Sequence, residues 1–101
     1  MTKRDQYLLK TYGLQPGQWE AMLAAQGGRC SICLKRKRRY DTDHCHETGK
    51  VRGVICHRCN SLLGHARNNE QILRSAADYL KKFNDSLEPL VPLVASKEIG
   101  V

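Results

Sequence analysis

Apolar positions along this chain follow a helical period at both ends and a short, strand-like pattern in the middle. Tyr7, Leu8 and Tyr12 fall near one face of a short helix over residues 3–12, and Gly13 breaks it. Pro16 reads as a first-turn residue. Trp19, Met22 and Leu23 follow at i, i+3 and i+4, and Gly27-Gly28 end the segment. The spacing predicts a helix from about 16 to 26 with a core-facing apolar side. Residues 40–44 and 51–56 are strand-length, the second carrying Val51, Val54 and Ile55. Glu47-Thr48-Gly49-Lys50 lies between them as turn material, with Gly49 free to take positive φ. Cys56 to about Ala66 then reads as a helix with Leu62 and Leu63 inward, weakened or ended by Gly64. Asn68-Asn69-Glu70-Gln71 reads as a cap with Gln in the fourth place. Ile72, Leu73, Ala76, Leu80 and Phe83 give an amphipathic helix to about 83. After Asp85 the pattern stops, and Pro89, Pro92 and Gly100 punctuate an apolar tail. The expected organisation is one domain over 1–84 and a tail over 85–101, open between flexibility and docking on a partner subunit.

Composition sharpens this. Of the 101 residues 41% are hydrophobic and only 6% aromatic. So thin a core commonly depends on a metal or disulfides. Five cysteines are present, and an odd number leaves one thiol outside any pure disulfide frame. Met1-Thr2-Lys3-Arg4-Asp5 leads into no apolar signal-peptide core, and no apolar run approaches the roughly 20 residues of a membrane span. A reducing cytoplasm is the expected compartment, where cysteine pairs read as metal ligands. The formal charge is +7, and four thiolates with one Zn2+ would leave it at +5. A basic chain favours polyanions through counterion release.

Cys30 and Cys33 form one CxxC unit, and Cys56 and Cys59 form another. Such knuckles supply four thiolates to a tetrahedral Zn2+ with little backbone strain. The 22 residues between Cys33 and Cys56 exceed the usual interval of about 15–20, which an inserted hairpin accounts for. Thiol redox chemistry is the competing reading. Cys45 reads as a spacer that faces away from the metal.

Inside the frame lies Asp43-His44-Cys45-His46, and Asn60 follows Cys59. Phosphodiester cleavage needs a deprotonated water, a polarised phosphate and a stabilised leaving oxygen. An imidazole serves as base near neutral pH. One hard cation on two protein oxygens meets the other needs. His44 is the candidate base, and Asp43 and Asn60 are the candidate ligands of Mg2+ or Mn2+. In an ideal strand Asp43 and His44 point to opposite faces, so a twist or bulge is required to bring both to one phosphate. His46 would contact phosphate or orient a neighbour. A surface turn or an alternative zinc ligand set remains the bland reading of the Asp-His pair.

Gly27-Gly28-Arg29-Cys30-Ser31-Ile32-Cys33, and the stretch from Asp43-His44-Cys45-His46 through Val51-Arg52-Gly53-Val54-Ile55-Cys56 to Cys59-Asn60, closely resemble the phage recombination endonuclease VII family of HNH, or His-Me finger, endonucleases. The resemblance covers roughly residues 7–66. It implies a small zinc-stabilised α+β domain with a ββα-metal core and flanking helices. It also implies His44 as general base, His46 in support, Asp43 and Asn60 on the catalytic divalent ion, and Cys30, Cys33, Cys56 and Cys59 on structural zinc. The implied products carry 5′-phosphate and 3′-hydroxyl ends. The junction-resolving archetype has an acidic residue where Leu63 stands, and a longer C-terminal part for dimerisation. This chain therefore resembles small phage nucleases that nick DNA, some of them beside the packaging terminase.

Lys35, Arg36, Lys37, Arg38 and Arg39 would line a phosphate backbone, with Lys50, Arg52 and Arg58 nearer the site. A solvated loop is the alternative. Contacts of this kind position a duplex without reading its sequence. His57 and His65 read as bystanders. The resulting expectation is a DNA endonuclease, monomer or homodimer, acting without a membrane in the cytoplasm of a bacterial host. A non-catalytic zinc-ribbon DNA-binding module is the alternative.

Overall fold

The computed structural model describes residues 1–85. Their elements are α1 (Lys3–Tyr12), α2 (Gln18–Ala25), β1 (Tyr40–His44), β2 (Val51–Cys56), α3 (His57–His65) and α4 (Glu70–Asp85). β1 and β2 form a two-stranded antiparallel sheet. Met1–His65 is one compact unit, and Ala66 opens a second. The tail predicted after Asp85 lies outside the described residues. Among those residues no helix is long and apolar enough to cross a membrane.

α1 begins and ends where its residues dictate. The Thr2 hydroxyl accepts from the Asp5 N–H at 3.0 Å, and the Asp5 carboxylate accepts from the Thr2 N–H at 3.2 Å. This reciprocal box satisfies two amides that the first turn leaves without helical partners. Gly13 closes the helix in the left-handed region at φ 72°. α2 starts later than the sequence suggests. Gly17 takes φ 87° ahead of it, so Pro16 stands outside the helix. Trp19, Met22 and Leu23 are half-buried rather than buried. A unit of this size has too little interior to enclose a whole helix face.

The predicted strands are observed. Cys45 and Lys50 close the hairpin loop through a 2.8 Å bond from the Cys45 N–H to the Lys50 carbonyl. Gly49 turns the chain there at φ 75°. The fully buried Val54 on β2 is held by a side chain as a strand would hold it. Gln26 Oε1 accepts from the Val54 N–H at 3.0 Å, and Gln26 Nε2 donates to the Val54 carbonyl at 2.8 Å. Gly53 admits this clamp, since a Cβ there would lie 3.3 Å from Gln26 Oε1.

In α3, Leu63 packs on the buried cysteines as expected, but Leu62 is exposed. Cys59 and Leu63, one turn apart, share the face that the sulfurs occupy, and Leu62 is rotated to its edge. In the second unit Asn69, not Asn68, caps α4, its Oδ1 accepting from the Ile72 N–H at 3.1 Å. The predicted amphipathic stripe forms. Ile72, Leu80 and Phe83 nevertheless remain at least half exposed, and none of the residues of α4 is buried.

The Gln26 clamp is testable. Gln26→Ala leaves a buried amide and carbonyl without that partner, which costs about 1–3 kcal/mol. Urea unfolding of zinc-loaded protein should show a lower midpoint with an unchanged slope. An unchanged midpoint would mean that the clamp adds nothing to stability.

Candidate metal centre and active-site cavity

Three local structures gather four sulfurs. Cys30 and Cys33 sit on a knuckle after α2, closed by bonds from the Cys30 N–H to the Lys35 carbonyl and from the Leu34 N–H to the Cys30 carbonyl, both 3.0 Å. Cys56 ends β2, and Cys59 lies in the first turn of α3. The four Sγ atoms lie within 4.8 Å of one another, with Cys33 and Cys56 3.9 Å apart. Zn–S bonds of about 2.3 Å in a tetrahedron set sulfurs about 3.8 Å apart, so the set fits Zn2+. All five cysteines are free thiols, and Cys45 stands outside the cluster.

Electrostatics at the cluster suit a cation. Burial pushes the Cys30 thiol up, but the backbone N–H groups of Cys56 and Ile32, 3.3 and 3.4 Å from its sulfur, help bring it down to about 6. Burial and the neighbouring thiols push Cys59 up to about 12. The Cys30 thiolate is readily held, whereas that of Cys59 needs a cation to share its charge.

β1 leads from this cluster into a cavity of about 330 Å³. The register explains how its residues converge. Asp43 pairs with Gly53 and His44 with Val51, so Arg52 is an extra residue on β2. This bulge twists the strand, and Asp43 and His44 line the same cavity, joined there by His46 and Asn60. The His44 ring sits between Tyr12, 5.5 Å away, and His46, 5.0 Å away. Asp43 is buried, and both its oxygens accept from Arg52, at 2.8 and 2.9 Å. A carboxylate has about four lone-pair sites, so this pairing leaves Asp43 able to meet a hard cation. Asn60 lines the same cavity with an amide oxygen to offer. The donor set, one carboxylate and one amide oxygen beside two imidazoles, fits Mg2+ or Mn2+ with water completing the shell.

Lys35, Arg36, Lys37, Arg38, Arg39, Lys50, Arg52 and Arg58, the residues expected to touch DNA, are all exposed. Arg36 lies against Gly28, and Arg39 stands 3.7 Å from Asp41. Arg52, the extra residue of the bulge, also pairs with Asp43.

Some residues that shape the cavity escaped the sequence reading. Tyr7 and Tyr12, from α1, form one wall, their rings edge-on at 6.1 Å. Burial, the Tyr7 hydroxyl and the charge of Asp41 push the Tyr12 phenol up. Asp41 lines the floor and accepts from Asn60 Nδ2 at 3.1 Å, with His57 Nδ1 at 3.0 Å. His57 is thus no bystander. Burial raises the Asp41 carboxyl, but these two partners and Arg39 outweigh it and hold it below the usual range. Strand alternation was the available signal, since Asp41 and Asp43 share one face two residues apart.

The recombination endonuclease VII family matches residues 5–82, and the chain belongs to that family. Membership points to nuclease chemistry. A protein named Gene 59 protein in Mycobacterium phage D29 is 41% identical over 85 residues, covering 80% of this chain and 52% of the relative. The Gene 59 protein of Mycobacterium phage L5 is 39% identical over 83 residues, covering 78% and 51%. The chain spans about half the length of these curated relatives. No solved structure matches.

The sulfur cluster predicts one zinc ion per chain. Cys59→Ser should lose it and unfold at temperatures the parent tolerates, read by metal analysis and thermal melting. Acid should act in the same direction. Thiolate stabilisation at Cys30 is complete above the ordinary thiol value of 9.0 and is lost as pH falls through about 6. Zinc should therefore be held at neutral pH and released in acid, followed with a chromogenic chelator. A zinc affinity that does not fall between about pH 7 and pH 4 would argue against thiolate ligation.

Proposed function

We propose that this chain is a metal-dependent DNA endonuclease of the HNH, or His-Me finger, type, with β1, β2 and α3 as its ββα-metal core. It nicks or cleaves duplex or branched DNA and leaves 5′-phosphate and 3′-hydroxyl ends. The observation that carries this reading is the convergence of Asp43, His44, His46 and Asn60 on one cavity in a chain of the endonuclease VII family.

The chemistry divides among the residues as follows. His44 accepts the proton of the attacking water, and the flanking rings of Tyr12 and His46 limit how far its imidazole can turn. His46, on the exposed side, contacts the scissile phosphate. Asp43 and Asn60 would hold the catalytic cation. When bound, Mg2+ or Mn2+ polarises the phosphate and stabilises charge on the leaving 3′-oxygen. Arg52 fixes the orientation of the Asp43 carboxylate. Lys35, Lys37 and Arg38, with Lys50 and Arg58, provide positive charge for the backbone. The zinc cluster acts at a distance: Cys56 and Cys59 fix the start of α3, and thereby Asn60.

Leu63, three positions beyond Asn60, packs against the buried cysteines and brings no carboxylate. This favours simple strand nicking over junction resolution, one strand per active site. Action beside a phage packaging terminase or in recombination belongs to the same reading, as does a monomeric or homodimeric state.

Supercoiled-plasmid cleavage tests it. With Mg2+ or Mn2+ the wild type should give nicked circles, and EDTA should abolish them. His44→Ala should lose about 10²–10⁴-fold in rate, as loss of a general base does, while still binding DNA. A zinc-loaded wild type that binds plasmid and never cuts it would favour the zinc-ribbon binding module.

A further inference from the structure

Asp41 was not singled out by the sequence pattern, and the cleavage chemistry above does not use it. Its place is nonetheless specific. It lies on β1 at the position paired with Ile55, and its carboxylate faces the first turn of α3. One oxygen, Oδ2, meets both Asn60 Nδ2 at 3.1 Å and His57 Nδ1 at 3.0 Å. Arg39 approaches Oδ1 at 3.7 Å.

An ionised carboxylate only accepts hydrogen bonds, and an amide group donates through nitrogen and accepts through oxygen. Contact with Asp41 therefore dictates which way the Asn60 amide is turned. Nδ2 faces Asp41, and Oδ1 is the atom left to meet a cation. Without Asp41 the amide rotates, and its NH2 group can face the cavity as readily as its oxygen. An NH2 group repels a cation that the oxygen would bind. His57 bonds the same oxygen from the other side and limits the carboxylate's own rotation.

We propose that Asp41 is a positioning residue that turns the amide oxygen of Asn60 toward the catalytic divalent cation, with His57 as its support. The proposal rests on the reading of Asn60 as a cation ligand. Partners of this kind, bonded to a ligand and not to the metal, typically control metal affinity by about 10–100-fold.

The test is Mn2+ binding to zinc-loaded protein, by titration calorimetry, with zinc content and melting temperature checked for each variant. Asn60→Ala and Asp41→Ala should each weaken Mn2+ binding at least about tenfold. The double variant should bind no more weakly than Asn60→Ala alone, because Asp41 acts only through Asn60. Asp41→Asn keeps the side chain's shape but can turn either its oxygen or its NH2 group toward Asn60, so it should also bind Mn2+ more weakly than the wild type. If the two single losses multiply in the double variant, Asp41 acts on the cation directly and the positioning role is overturned. The same holds if Asp41→Asn or Asp41→Ala binds Mn2+ like the wild type. Wild-type binding by Asn60→Ala would remove the ligand itself, and this inference would fall with it.

Discussion

Four sulfur atoms within 4.8 Å of one another are the constraint on which the first unit depends. Cys30 and Cys56 are almost wholly buried, and Ile55 and Leu63 pack around them. Few large apolar side chains stand beside this cluster: α2 has no buried residue, and the fully enclosed side chains are Val54 and Cys30. In a chain this small, a cation held by these thiolates would add to what apolar burial supplies. Free energies of roughly 10–16 kcal/mol for such sites exceed anything a thin core offers. The centre also fixes positions. It joins the knuckle after α2, the end of β2 and the start of α3, and these are the segments that bring Asn60 to the hairpin.

The second constraint is the bulge. A regular strand would have carried Asp43 and His44 to opposite faces of a two-stranded sheet. One extra residue on β2 removes that conflict, and the extra residue is Arg52, whose guanidinium then closes on Asp43. Buried carboxylates need a partner, and a bidentate arginine provides one with defined geometry. The strand irregularity and the geometry of the cavity are here the same feature. The tyrosines of α1 add a further layer, since they reach the cavity only because the first helix is laid against the hairpin.

Much of this was legible in the residues. α1, both strands and the start of α3 follow from local signals: a helical apolar period, a stop glycine, strand-length apolar runs and a turn with Gly49. The cysteine spacing pointed to zinc, and the ideal pleat showed that a twist or bulge was necessary. What escaped was pairing at a distance. That Arg52 also pairs with Asp43, nine residues back, has no local signal. His57 looked idle because its partner, Asp41, is 16 residues away along the chain. Leu62 and Leu63 looked equivalent until the sulfur cluster selected the helix face.

By itself, then, the sequence determined the elements, the four sulfur ligands and the set of groups capable of phosphodiester chemistry. These depend on neighbours within a turn or a strand, where propensity, spacing and side-chain chemistry act directly. Tertiary structure alone decided the carboxylate partners, the tyrosine wall and the orientation of Asn60. Those depend on the register of β1 against β2 and on the angle at which α3 leaves the cysteine cluster. A shift of one residue in a strand reverses every side chain, so such geometry becomes visible only when the strands are paired.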